Sequence, residues 1–280
     1  MSPLPEDPDL RRHWEALRAA VAPLGSAAVA FSGGADSALV LRACREFLPE
    51  GRVVALTGRS GSLKPAELER AEALARDLGV RHEVIDTEEL RDPGYVANGP
   101  DRCWHCKTEL YGKAGERARD LGLACVVDGL NLDDRIEERP GARAAAEHGV
   151  RSPLREAGLG KAAVRALSRA LGLPTWDKPA EPCLSSRIPF GTAVTPERLD
   201  RVRAAEAVLE GLGFRVHRVR HHDTVARVEL PAADLARALE PAVRRALVEG
   251  IKAAGYSFVA LDLEGFRSGS AHEALRGLPV

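Results

Sequence analysis

The sequence predicts an α/β protein, with a parallel sheet in its first two thirds and a smaller α+β domain after it. Short apolar runs alternate with segments of helical period, which is typical of a parallel sheet. Polar loops follow two of these runs, and the carboxyl ends of parallel strands lie at one edge of a sheet. We therefore expect one domain over residues 1–190 and a C-terminal α+β domain over residues 191–280.

Each element of the first domain follows from the spacing of its apolar residues. Strands are predicted over residues 27–31, 52–57, 82–86 and 124–128. Helices are predicted over residues 9–21, from the first loop to Phe47, over 64–78, around Leu110 and Tyr111, and over 161–171. Four prolines within residues 174–189 indicate a long loop, and long loops in compact chains are often functional.

The C-terminal domain is predicted from two alternating segments and their flanking helices. Thr195 and Pro196 form a cap and a first helical turn, and that helix should end near Gly211. Paired strands are expected over 214–220 and 224–230, a helix over 232–248 and a last strand over 256–262.

Composition and charge narrow the class of protein. An apolar share of 45% with 29% charged residues is typical of a globular chain with a full core. The net charge is −1 and the basic residues are spread, which argues against a large nucleic-acid footprint. No apolar run approaches the ~20 residues of a membrane span, and the acidic N-terminus has no apolar signal region. We therefore expect a cytoplasmic protein.

A Ser-Gly-Gly-Ala-Asp-Ser segment after the first strand predicts a nucleotide site. Residues 32–37, which we call the phosphate loop, join a strand to a helix whose N-terminus offers N–H groups to an anion. Gly33 and Gly34 allow close approach of phosphate, and Ser32 and Ser37 add hydroxyl donors. Asp36 requires a cation such as Mg²⁺ between its carboxylate and the phosphates. A plain Gly/Ser turn is the alternative.

Two other phosphate motifs do not match. The loop has no Gly-Lys-Ser/Thr ending, so it is not an NTPase P-loop, and it lacks the Gly-x-Gly-x-x-Gly dinucleotide pattern. A second polar loop follows the fourth strand at the same sheet edge. Its side chains are candidates for ribose, Mg²⁺ or substrate contacts, with a solvated turn as the alternative; they are Asp128, Asn131, Asp133 and Asp134.

Three of the five cysteines call for an explanation. Cys44 and Cys125 lie in apolar segments and are expected in the core. Cys103 and Cys106 form a Cys-x-x-Cys pair, which suits a redox pair, half a zinc site, or two of three ligands of an iron–sulfur cluster. With Cys183, three thiols fit a 4Fe–4S cluster with one open iron.

Cys183 also suits a nucleophile. Arg187 and the hydroxyl groups of Ser185 and Ser186 are close to it in sequence and would favour its thiolate form. A thiolate attacking an adenylated carboxylate would displace AMP and leave sulfur on the carbonyl carbon. A buried loop cysteine is the alternative.

Several motifs together resemble one family over nearly the whole chain. They are the phosphate loop, residues 128–134, 139–141, 149–154, 183–191 and 262–269. The phosphate loop is shared by many adenylating enzymes, whereas 183–191 and the tail are more specific. The chain resembles the LarE family of ATP-dependent sulfur transferases, which act in nickel-pincer nucleotide cofactor biosynthesis.

The resemblance implies a fold, a reaction and a set of cofactors. The fold is the Rossmann-like, adenine nucleotide alpha hydrolase-like domain with a PP-loop. The reaction adenylates a carboxylate of pyridinium-3,5-biscarboxylic acid mononucleotide with ATP and Mg²⁺, then forms a thiocarboxylate. One branch of the family sacrifices the sulfur of the residue matching Cys183. Another holds a 4Fe–4S cluster on three cysteines, and Cys103, Cys106 and Cys183 favour that branch.

The resemblance also implies substrate-binding residues and partners. Trp104 would stack on a flat ring, with a core position as the alternative. Side chains expected near the substrate phosphate are Ser186, Arg187, Arg218, Arg220 and Arg267. Arg218 and Arg220 share one face of a strand, and an exposed basic face is their alternative. The family suggests a homo-oligomer that acts on a small nucleotide, and a tRNA thiolation enzyme of the same superfamily is the nearest rival.

Overall fold

The chain is described by a computed structural model over residues 7–134 and 140–267. It divides into two units, the first comprising Met1–Glu89 and Asp101–Glu181 and the second Leu90–Pro100 and Pro182–Val280. Arg139 of the 139–141 motif and the tail beyond Arg267 lie outside the described residues.

The elements are numbered along the chain. The strands are β1 Ala27–Ala30, β2 Val53–Arg59, β3 Arg81–Asp86, β4 Cys125–Val127, β5 Arg218–His222, β6 Val225–Glu229 and β7 Phe258–Leu261. The helices are α1 Pro8–Val21, α2 Ala35–Phe47, α3 Pro65–Asp77, α4 Pro93–Val96, α5 Arg102–Asp120, α6 Pro140–Glu147, α7 Pro153–Glu156, α8 Lys161–Ala170, α9 Pro196–Gly211, α10 Ala232–Leu239 and α11 Pro241–Ala253.

A four-stranded parallel sheet forms the centre of the first unit, in the order β3-β2-β1-β4. Ala27 of β1 pairs with Val53 on one side and with Cys125 on the other, so the carboxyl ends of these strands lie at one edge. The predicted parallel sheet is therefore confirmed. Each predicted strand lies within two residues of the observed bounds.

Both faces of this sheet are covered by helices, as parallel sheets require. Val29 packs in a cluster with residues of α1, α2 and α8, such as Leu17, Leu39 and Leu167. Its neighbour Ala28 points to the other face, where it packs with residues of α5. Apolar burial on both faces thus fixes β1, and with it the start of the phosphate loop.

The second unit contains a three-stranded sheet in the order β5-β6-β7, antiparallel between β5 and β6 and parallel between β6 and β7. The strand predicted over 214–220 begins four residues before β5 and ends two residues before its end. His221 and His222 belong to β5, and the turn lies at residues 223–224. Asp223 has a φ of +48°, a conformation that Asp tolerates in tight hairpin turns.

The helices of the second unit agree with the predicted start of α9 but not with the single helix predicted after β6. Thr195 caps α9 by accepting the Arg198 N–H, as predicted. The single helix predicted over 232–248 is wrong, since α10 ends at Leu239 and α11 begins at Pro241. Glu240 has an extended backbone with ψ of 135°, because proline disfavours the helical conformation in the residue before it.

Within the described ranges, no helix is both long and apolar enough to cross a membrane.

Candidate active site

The phosphate loop is tied together by its own hydroxyl groups. The Ser32 N–H donates to Ser37 Oγ at 3.3 Å, and the two serine hydroxyls lie 3.0 Å apart. The Gly34 N–H donates to Ser32 Oγ at 3.3 Å. Gly34 is also the N-cap of α2, whose first N–H groups have no intrahelical acceptors. The loop thus presents backbone donors and two hydroxyls at the edge of the sheet, an arrangement that suits phosphate.

Two glycines allow neighbouring backbone segments to approach this loop. Gly33 has a φ of +67°, and a Cβ there would lie 3.1 Å from the Ala71 Cβ on α3. A Cβ on Gly129 would lie 2.8 Å from the backbone nitrogen of Ser37. The loop after β4 therefore packs directly against the first turn of α2, which brings the two polar loops together.

Asp36 lies in the first turn of α2 and is held by the second loop. Asn131 Nδ2 donates to Asp36 Oδ1 at 2.9 Å, and the Asn131 side chain is buried. Burial raises the pKa of Asp36, the hydrogen bond from Asn131 opposes that rise, and the nearby Asp134 carboxylate adds to it. A partly buried carboxylate with a raised pKa is suited to a cation, which would favour its charged form.

Two other acidic side chains of the second loop bind groups of neighbouring helices and segments. Asp128 is buried and accepts from the hydroxyls of Tyr111 at 2.9 Å and Ser152 at 2.7 Å. Asp133 accepts the backbone N–H of Lys161 at 2.6 Å, at the start of α8. Of these predicted contacts, the structure brings Asn131 directly to the phosphate loop and uses Asp128 and Asp133 to hold neighbouring elements.

Strand β2 supports the end of β1 through a polar pair that sequence reasoning missed. Thr57 Oγ1 donates to the Phe31 carbonyl at 2.7 Å, and His82 Nε2 lies 2.8 Å from the same hydroxyl. Since the hydroxyl has one proton to give, the imidazole Nε2 carries the proton of the second bond. Burial lowers the pKa of His82, which favours this neutral form. The sequence feature that could have predicted this pair is Thr57, a polar residue that follows the apolar run of β2.

Lys178 is a second missed residue, and it contacts the phosphate loop directly. Its Nζ donates to the Gly33 carbonyl at 3.2 Å and to Glu67 Oε2 on α3 at 2.6 Å. Residues 174–182 form part of the long proline-containing loop, whose length alone marked it as functional. No sequence pattern paired Lys178 with a residue 145 positions away.

The Cys-x-x-Cys pair occupies the first turns of α5, which begins at Arg102. Cys103 is exposed and Cys106 is half-buried. Trp104, between them, donates its indole N–H to Glu147 Oε2 at 2.7 Å, and the Arg143 guanidinium lies 4.9 Å from its ring centroid. Trp104 is thus partly buried against α6, and its stacking on a substrate ring stays a prediction.

Cys183 is exposed in the second unit, at the start of a short 3₁₀ helix, Leu184–Arg187. The Arg187 guanidinium donates to the Cys183 carbonyl at 3.1 Å and to Ser186 Oγ at 2.9 Å. Arg187 also forms a two-point ion pair with Glu206 on α9, at 2.8 and 3.2 Å. Arg187 and Glu206 are buried, so this pair fixes the backbone that carries the Cys183 thiol.

The other arginines expected near a substrate phosphate each have partners in the second unit. Arg220 pairs with Glu229 at 2.9 Å through two nitrogens and donates to the Ser186 carbonyl at 2.8 Å. The Arg218 guanidinium lies 5.1 Å from the Phe266 ring centroid, and Arg267 pairs with Glu264 at 2.8 Å. The structure brings Arg187 and Arg220 to Ser186, beside Cys183. Phosphate binding by these residues stays a prediction.

We expect the Glu206→Gln substitution to destabilise the second unit strongly. Glutamine keeps the shape of the side chain but leaves the Arg187 guanidinium buried without its counter-charge, at 1% exposure. Breaking such a pair costs about 3–5 kcal/mol of unfolding free energy. Urea denaturation would measure the loss. Glu197→Gln, at an exposed position in the first turn of the same helix, is the control and should change stability by less than about 1 kcal/mol, the scale of one charge at a helix N-terminus. Equal stabilities of the two variants would contradict the prediction.

The described part of the chain contains no preformed metal centre. Over residues 7–134 and 140–267, no group of three or more His, Cys, Asp or Glu side chains is arranged to hold a metal ion. All five cysteines lie in these ranges and carry thiols. The assignment of cluster ligands therefore depends on the resemblance and on the chemistry of the thiols.

Comparisons with other proteins cover nearly the whole chain. An uncharacterized protein of Synechocystis sp. is 44% identical over 266 residues, which is 95% of this chain and 99% of that protein. The pyridinium-3,5-bisthiocarboxylic acid mononucleotide synthase of Lactiplantibacillus plantarum is 39% identical over 261 residues, 92% of this chain and 93% of the synthase. An uncharacterized protein of Methanocaldococcus jannaschii is 26% identical over 240 residues, 86% of this chain and 90% of its own length. The family described as "Queuosine biosynthesis protein QueC" matches residues 26–97, which include the phosphate loop.

Proposed function

We propose that this chain, which belongs to the family of the pyridinium-3,5-bisthiocarboxylic acid mononucleotide synthase, is an ATP-dependent sulfur transferase that converts carboxylates of pyridinium-3,5-biscarboxylic acid mononucleotide into thiocarboxylates. The reaction would be a step of nickel-pincer nucleotide synthesis. The observation that carries the proposal is the phosphate loop at the carboxyl end of β1, closed by serine hydroxyls and joined to Asp36 and Asn131.

The first step is adenylation of the substrate. A carboxylate oxygen attacks the α-phosphorus of ATP, the bond from that phosphorus to the bridging oxygen breaks, and pyrophosphate leaves with the electron pair. The N–H groups and hydroxyls of residues 32–37 bind the phosphates and orient them for this displacement. The oxygens of Asp36 and of the second loop are ligands that Mg²⁺ prefers, and bound Mg²⁺ would supply charge neutralisation on the phosphates.

In the second step a sulfide attacks the carbonyl carbon of the acyl adenylate, a carbon–sulfur bond forms, and the bond from that carbon to the phosphate oxygen breaks so that AMP leaves. Cys183 is exposed and its backbone is held by Arg187, so its thiol is accessible to a cluster or, in the alternative, to an activated carbonyl. Cys103 and Cys106 are separated by one helical turn at the start of α5. Three thiols fit a 4Fe–4S cluster in their chemistry, and Cys103, Cys106 and Cys183 would hold it. When bound, the cluster would supply an open iron that carries sulfide. Sacrifice of the Cys183 sulfur itself is the alternative.

The experiment is a reaction of the purified chain with the biscarboxylic acid mononucleotide, Mg-ATP and sulfide under anaerobic conditions. We expect a product whose mass shows exchange of a carboxylate oxygen for sulfur, with AMP and pyrophosphate formed in equal amounts. The reaction without ATP is the control. Formation of ADP, or a thiocarboxylate yield independent of ATP, would refute the proposal.

Two further expectations belong to this proposal. The cytoplasmic location and the homo-oligomer stay predictions. Size-exclusion chromatography with light scattering would measure the number of subunits.

A further inference from the structure

Lys178, which contacts the phosphate loop from residues 174–182, has no role in the proposed reaction as described above. The ammonium group of Lys178 lies between the Gly33 carbonyl and the Glu67 carboxylate, both in the first unit. The side chains of Lys178 and Glu67 are 16% and 10% exposed. A cation is thus held at the wall of the site where ATP phosphates are proposed to bind.

The charges around Lys178 leave it able to meet an anion. Glu67 pairs with Arg70 at 2.5 Å, and Glu67 and Glu181 lie side by side and share a hydrogen bond. Burial and this bond raise the pKa of Glu181; burial alone would raise that of Glu67, but its bonds to Glu181 and Lys178 hold its pKa below the usual value. Two cations, Lys178 and Arg70, thus face the two carboxyl groups, so these groups do not leave an excess of negative charge that would repel a phosphate.

The Lys178 ammonium also has a hydrogen-bond donor left for an anion. An ammonium has three N–H donors, and two of them are used by Gly33 and Glu67. The nearest oxygen of Glu181 is 3.9 Å away, too far for a third bond. A phosphate oxygen entering the loop can take up the remaining donor without breaking the existing bonds.

We propose that Lys178 binds the β- and γ-phosphates of ATP and neutralises pyrophosphate as it leaves during adenylation. This inference rests on the proposed function. As the bond between the α-phosphorus and the bridging oxygen breaks, its electron pair passes to that oxygen and negative charge grows on pyrophosphate. The ammonium interaction strengthens with this charge, so Lys178 would lower the barrier as well as bind ATP.

A structural role is the competing explanation, because the same ion pair also ties residues 174–182 to α3. The two roles differ in their ligand dependence. A residue that contacts the β- and γ-phosphates affects ATP but not AMP, which lacks them. A residue that only shapes the loop affects both nucleotides.

The test compares nucleotide affinities of the full chain by titration calorimetry, with Mg-ATP and AMP as probes. In the Lys178→Met variant we expect ATP affinity to fall about tenfold to a hundredfold, the scale of one charge-assisted hydrogen bond. AMP affinity should stay within about twofold of wild type. Lys178→Arg should restore part of the ATP affinity, since it keeps the charge.

The matched control is Lys113→Met, which removes another lysine–glutamate pair of the first unit, with Glu109 at 2.7 Å. It should leave both affinities unchanged. Equal losses for ATP and AMP in Lys178→Met, or no loss for either, would overturn the assignment of Lys178 while leaving the proposed function intact. A wild-type chain that binds neither nucleotide would overturn the proposed function, and the assignment with it.

Discussion

Replacing Cys183 by alanine is expected to abolish thiocarboxylate formation while leaving ATP binding intact. The thiol is exposed and makes no contribution to the apolar core, whereas the backbone around it is held by Arg187 through carbonyl groups that alanine retains. The rate should fall on the order of a thousandfold or more, the scale seen when a nucleophile is removed. Product formation by mass spectrometry and ATP affinity by calorimetry would be measured together.

The Cys125→Ala variant is the matched control for this prediction. Cys125 is half-buried in β4, and its thiol contacts the Ser26 carbonyl at 3.6 Å, away from the proposed chemistry. It should retain wild-type activity. Thiocarboxylate formation at the wild-type rate by Cys183→Ala would show that this sulfur is neither donor nor ligand.

The same proteins distinguish the two sulfur sources. Anaerobically purified wild type should contain about four iron and four sulfide per chain, and Cys103→Ala should lose them, if three thiols hold a cluster. Absence of iron, with loss of one H₂S from Cys183 after turnover, would establish sacrifice of the cysteine instead. Cys103 and Cys106 would then need another role.

Local sequence rules predicted the parallel sheet and the phosphate loop well, because apolar period and glycine position act over a few residues. Gly34 is the N-cap of α2, and the hydroxyls of Ser32 and Ser37 are in contact within the same six residues. The loop is therefore closed by its own residues. The Pro241 break was within reach of the same rules, since proline disfavours a helical conformation in Glu240. It was missed because the apolar period continues through it.

Contacts between distant segments were not predictable in this way. Lys178 approaches Gly33 because the fold returns the long loop to α3, and no local pattern encodes that return. Phosphate binding by Arg187 stays a prediction, but no local pattern indicated that its guanidinium is buried against Glu206. The local sequence around a loop arginine is the same whether the arginine binds a ligand or pairs with a carboxylate on a later helix, so sequence alone does not distinguish the two.

The Asp36→Asn substitution is expected to abolish adenylation without weakening the fold. Asparagine can still accept the hydrogen bond from Asn131 but carries no charge for Mg²⁺. Pyrophosphate formation should fall by about a hundredfold or more, the scale of one electrostatic contact to a developing charge. Asp86→Asn, at an exposed ion pair with Arg59, is the control and should keep full activity.

The Asp36→Asn variant should lose adenylation activity but keep or gain thermal stability at neutral pH. Burial raises the pKa of Asp36 in the folded chain above its usual value of 3.8, so the stability that its protonated form contributes is lost as pH rises through the folded pKa. At neutral pH the charged carboxylate therefore weakens the apoprotein, and Asp36→Asn should melt at an equal or higher temperature. This advantage should vanish as pH falls below the unfolded pKa. A variant that is both inactive and less stable at neutral pH would indicate a structural role for Asp36, whereas inactivity with undiminished stability is the behaviour of a carboxylate retained for its cation.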